Sequence, residues 1–88
     1  MTVNNDFKRP STLSDVKDIF RDLIYEHKIN LNPDTDFSEY ICYATHERTF
    51  SDEEAVLLNS IMDDCRCICE NAEVDIYDLC LSFLYPQN

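Results

Sequence analysis

With 88 residues the chain has room for one domain, and it contains no glycine, which removes the phosphate-cradling loops and nucleophile elbows that need a residue lacking Cβ. Eighteen acidic side chains against seven basic ones give a net charge of −11, a field that repels nucleic acid and anionic membranes and attracts cationic partners. Residues 1–48 carry nine acids and six bases, whereas residues 49–88 carry nine acids and Arg66 alone.

Residues 1–10 are polar, lack periodicity and end at Pro10, so they read as a mobile arm preceding a single helical domain over 11–88. From Thr12 to Lys28, Leu13, Val16, Phe20, Leu23 and Ile24 recur at three- and four-residue intervals and predict an amphipathic helix. Thr12 and Asp15 suit its N-terminal cap, and Asn30, Asn32 and Pro33 end it. Asp36 with Glu39 then resembles a capping box. Phe37, Tyr40, Ile41 and Ala44 place apolar side chains on one face of a short second helix. Two-residue hairpins are disfavoured without Asn-Gly or Asp-Gly turns.

The third helix opens on Ser51 and Glu54, with Phe50 and Ala55 placed as a hydrophobic staple. Its stripe runs through Leu58, Ile61, Met62, Cys65, Ile68, Cys69 and Ala72, and Asn71 is the expected left-handed terminator. The last helix begins at Asp75, with Val74 and Leu79 as a second staple. Ile76, Leu79, Cys80, Leu81, Phe83 and Leu84 cover so much of its circumference that it should be the most buried element. The expected fold is an all-α bundle of three main helices and one short helix. Its core should include Phe20, Leu23, Leu58, Ile61, Cys65, Ile68, Leu79 and Phe83.

The cluster Cys65, Cys67, Cys69 and Cys80 invites a zinc reading, but at 100° per residue Cys67 points about 160° away from Cys65. Cys65, Cys69 and Cys80 instead fit the core as small hydrophobes. Asp34, Asp36 and Ser38 stand at the first three ligand positions of a calcium loop, yet Glu39 replaces the required glycine and Thr45 the bidentate glutamate. The Asp-Ser-Leu-type attachment motif of acyl carrier proteins is also missing, since Phe50 precedes Ser51. His27 falls on the first apolar stripe and His46 in a polar connector, neither beside a catalytic partner in sequence. No cofactor, metal or enzymatic activity is expected.

What remains is the outer surface. Val56, Cys67 and Val74 project within about 20° of one another beside Ser60, Asp63 and Glu70. With Asp52 and Glu73, this strip of Val56, Asp63, Cys67 and Glu70 is the candidate partner-binding site. Tyr25 and Cys42 are further outward-facing residues. The expected function is that of a non-catalytic acidic interaction domain, an adaptor or small regulatory subunit, binding a protein partner with a basic surface. The strip would also suit a homodimer. The alternative is an inhibitor that mimics nucleic acid and fills a basic groove on another protein. An odd count of five cysteines and the lack of a signal-like or membrane-spanning stretch predict reduced thiols and a cytoplasmic location, with no direct nucleic-acid or membrane binding.

Overall fold

The computed structural model describes residues 8–42 and 45–85. Helix α1 spans Leu13–Arg21 and opens on a complete capping box. The Thr12 hydroxyl accepts from the Asp15 backbone N–H at 3.2 Å, and the Asp15 carboxylate accepts from the N–H groups of Ser11 and Thr12. Those bonds, with the Ser11 backbone foremost, hold the Asp15 carboxyl below its ordinary pKa. The helix then widens into one π-helical turn, Asp22–Glu26, and stops where Lys28 adopts a left-handed φ of 59°.

The segment from 29 to 50 departs from the expected second helix. Asp36 caps only a single 3-10 turn, Phe37–Glu39, by accepting from the Ser38 N–H at 2.8 Å. Tyr40 is already extended, with φ −73° and ψ 145°. Its hydroxyl donates to the Asn32 carbonyl and accepts from the Asn32 N–H, which ties it back across the loop. Two short strands follow, β1 (Ile41–Cys42) and β2 (Glu47–Arg48), paired antiparallel with Ile41 opposite Arg48 and Cys42 opposite Glu47. The architecture is therefore mostly helical with a small hairpin, not purely α. Aromatic and β-branched residues at 40–41 favour the extended chain, and a longer connection with His46 at φ 60° replaces the two-residue turn that glycine would have allowed. Ala44, expected on the short helix, lies outside the described residues.

Helix α2, Asp52–Asn71, has the Ser51–Glu54 capping box, and its cap partners lie 3.0 and 3.2 Å apart. It ends in a Schellman motif: the Val74 N–H donates to the Cys69 carbonyl at 2.8 Å and the Glu73 N–H to Glu70 at 3.1 Å. Glu73, at φ 59°, takes the left-handed position expected of Asn71, which remains helical. Helix α3, Ile76–Leu84, starts at Asp75, whose side chain accepts from the Tyr77 N–H.

One core joins these elements. Val16, Phe20 and Leu23 from α1 meet Leu58, Ile61 and Cys65 from α2, all at or below 1% exposure. The irregular segment adds Ile29, Leu31, Phe37, Tyr40 and Phe50, with Phe37 and Phe50 meeting edge to face at 5.7 Å. Because that segment takes one side of the α1–α2 pair, α3 is not the most buried element. Only its Ile76 and Cys80 are buried, and Leu79 and Phe83, like Ile68 of α2, are half-buried against the core instead of inside it. Phe83 still docks edge-on to Phe20 at 6.3 Å. No helix among the described residues is long and apolar enough to cross a membrane.

Candidate protein-docking surface

Asp52, Val56, Asp63, Cys67 and Glu70 all lie exposed along α2, and Glu73 is exposed just past its end. Asp52, Glu53 and Glu54 occupy the first turn, where carboxylates are stabilised by the free backbone N–H groups of the helix start. Val56 is the most exposed large apolar residue at 70%, but it stands three turns from Cys67. Between them the chain arriving from the N-terminus crosses the helix. The Arg9 guanidinium donates to the Ser60 hydroxyl at 2.7 Å and pairs with Asp64 at 2.8 Å, while Pro10 is buried. Residues 8–10 of the expected arm are thus attached to α2, and residues 1–7 lie outside the described residues. Val74 does not extend the strip, because it follows the Schellman turn, off the helix, and is half-buried.

Arg66 organises the opposite margin of α2. Its guanidinium pairs with Asp63 one turn back and also donates to the Pro33 carbonyl, which fastens the loop at 33–36 to the helix. Asn59 repeats the attachment about two turns earlier, accepting from the Phe37 N–H at 3.0 Å and donating to Asp36 at 3.1 Å. The Tyr77 hydroxyl faces Asp34 on the same side, and that hydrogen bond, followed by burial and the carboxylate's charge, raises the phenol above its ordinary pKa. Asp34 and Asp36 thus act in turn and cap chemistry, with Asn32 accepting from the Asp34 N–H at 2.9 Å. Among the described residues no three His, Cys, Asp or Glu side chains converge in an arrangement that could hold a metal.

The five cysteines fall into two classes by burial. Cys65, Cys69 and Cys80 are buried together between α2 and α3, and burial pushes Cys65 and Cys80 up to about 12 and raises Cys69 as well. At neutral pH they are protonated and poorly nucleophilic. Cys67 is exposed, and Cys42 is half-buried on β1. His27 is half-buried with its ring 5.2 Å from that of Phe50, and His46 is exposed in the hairpin. A cavity of about 660 Å³ opens between residues 8–11, α1 and α2 over an apolar floor that includes Leu23 and Leu58. Its charges are largely matched internally: Arg21 pairs with Asp18 at 3.1 Å, Arg9 with Asp64, and Asp15 serves the cap.

The residues that sequence reasoning missed are on α3 and at its C-cap. Tyr77, Leu81 and Tyr85 recur every fourth residue along one side, with exposures of 44, 50 and 67%. Tyr25, also outward-facing, donates its hydroxyl to the Phe83 carbonyl at 3.2 Å and so borders the same side of the molecule. The signal was present in the near-continuous apolar character of α3, but its pattern does not say which side remains uncovered.

No known protein family, characterised protein or solved structure gives a significant match to this chain.

Proposed function

We propose that the chain is a non-catalytic protein-interaction domain, an adaptor or small regulatory subunit, that binds a basic surface on a partner protein. The observation that carries this reading is the inventory of its ion pairs. Among the described residues, Asp52, Glu53, Glu70, Glu73, Asp75 and Asp78 enter none of them, although all six are exposed. Arg66, the sole base among residues 49–88, is already engaged with the Pro33 carbonyl and Asp63. Those six carboxylates are left without an ion pair among the described residues, and such a field steers cationic surfaces into encounter.

The test is association kinetics with a partner recovered from the host at low salt. The triple variant Asp52→Lys, Glu70→Lys, Glu73→Lys should associate roughly tenfold more slowly, with a flatter salt dependence and unchanged helical content. An unchanged rate would show that the carboxylates serve solubility alone. Competition by duplex DNA for the same partner surface would identify the partner's groove as a nucleic-acid site and favour the mimic.

A further inference from the structure

Helix α3 poses a problem that the rest of the fold does not solve. Ile76, Tyr77, Leu79, Cys80, Leu81, Phe83 and Leu84 leave Asp78 and Ser82 as its only polar positions, a composition suited to a helix covered on all sides. The fold covers one side. Ile76 and Cys80 are buried and Leu79, Phe83 and Leu84 half-buried, whereas Tyr77 and Leu81 on the helix and Tyr85 at its C-cap are exposed, the Tyr85 N–H still bonded to the Leu81 carbonyl at 2.8 Å. A place where local pattern and tertiary burial disagree marks a surface shaped for something besides folding.

The charges around the stripe restrict what can cover it. Asp75 and Asp78 stand at its start, Asp34 sits at the Tyr77 hydroxyl, and neither α2 nor α3 carries a basic residue in its last turn to complement the negative end of the helix dipole. A second copy of the chain, itself at −11, would bring the same carboxylates against these. A segment with apolar side chains on one face and lysines or arginines on its flanks satisfies both the stripe and its rim.

We propose that the stripe formed by Tyr77 and Leu81 of α3 with Tyr85 at its C-cap is a docking surface for a basic amphipathic helix of a partner protein, its apolar ridge lying along the stripe and its cations meeting Asp75, Asp78 and Asp34. This rests on the reading of the domain as a binder of basic protein surfaces and adds to it the place and form of the contact. Apolar anchors at helical spacing are the usual means of recognising a partner helix. Three anchors make a small interface, so affinity in the micromolar range is expected at low salt.

The experiment uses the full chain and two synthetic peptides of identical leucine, lysine and alanine content. In one, the leucines share a helical face; in the other they are scattered. Binding is followed by fluorescence anisotropy and by amide chemical shifts. The amphipathic peptide should bind about tenfold more tightly than the scattered one, with shifts centred on residues 77–85. That preference should disappear in Leu81→Ser and persist in Ile41→Ser, a comparably exposed apolar position on β1 outside both candidate surfaces. Equal binding of the two peptides would overturn the stripe while leaving the acidic reading standing. Failure of both to bind at low salt would remove the two together. A dimer of the unmodified chain that dissociates in Leu81→Ser would assign the stripe to self-association and overturn the proposal.

Discussion

Replacing Glu73 with glycine should stabilise the protein, against the usual expectation that substitutions do harm. Glu73 is held at φ 59° by the Schellman turn, with its N–H on the Glu70 carbonyl and the following Val74 N–H on Cys69. A residue with a Cβ is disfavoured in that conformation by about 1 to 2 kcal/mol, because Cβ crowds the following carbonyl oxygen. Glycine removes the clash but loses more entropy on folding, which offsets about 0.5 to 1 kcal/mol. Removing a negative charge from the negative end of a helix dipole adds a few tenths, about 0.3 kcal/mol or more. The net expectation is a gain of about 1 kcal/mol, equivalent to roughly 4 to 8 °C in Tm for a domain of this size. Thermal and urea unfolding of Glu73→Gly and Glu73→Gln separate backbone from charge, since Gln should recover only the small electrostatic part. Asn71→Gly is the internal control: Asn71 is helical, so glycine there should destabilise by a few tenths, about 0.3 kcal/mol. If Asn71→Gly stabilises and Glu73→Gly does not, the turn has been assigned to the wrong residue.

Leu58→Ala and Ile61→Ala, both at 1% exposure, should each cost about 2 to 5 kcal/mol in urea denaturation. Arg66→Gln, which loses the bond to Pro33 and the pair with Asp63, should cost about 1 kcal/mol, the partial exposure of the group limiting the effect. Cys67 should be alkylated by a water-soluble reagent in the native state, while Cys65, Cys69 and Cys80 react only on unfolding; rapid native labelling of the latter group would contradict their burial. The same thiols give an alkaline limit. With Cys65, Cys80 and Tyr40 pushed up to about 12, the folded state keeps protons that the unfolded chain releases from about pH 8.5 upward, so stability is intact below that point and falls as pH rises toward 12. Urea midpoints between about pH 8 and 11 should decline, and less steeply in Cys65→Ala, Cys80→Ala.

The helix starts were legible because caps are local chemistry: Thr12 with Asp15, Ser51 with Glu54, and Asp75 each satisfy N–H groups within three residues of themselves. The apolar stripes of α1 and α2 were equally readable from their period. What could not be read was the contribution of residues 29–50. Ile29 and Leu31 belong to no stripe, and Phe37 and Tyr40 were read as one face of a helix, yet all four enter the core from an irregular segment, because Tyr40 is anchored to Asn32 across the loop and the loop is fastened by Asn59 and Arg66, 22 and 33 residues away from their partners. The carboxylates of the candidate surface were visible as a charge imbalance, whereas the Tyr77–Leu81–Tyr85 stripe depends on which flank of an apolar helix its neighbours leave open.

The attachment of Arg66 to the loop also makes it a natural reporter. Trypsin cuts after lysine and arginine, and beyond Arg48, exposed in the hairpin, the chain offers it only the bond between Arg66 and Cys67. That bond lies deep within a 20-residue helix, and its side chain is engaged with Pro33 and Asp63. Cleavage there requires α2 to open and the loop to detach, so the rate at which the fragment 67–88 is released measures opening of the core itself, free of the nicking at loops and termini that usually dominates digestion.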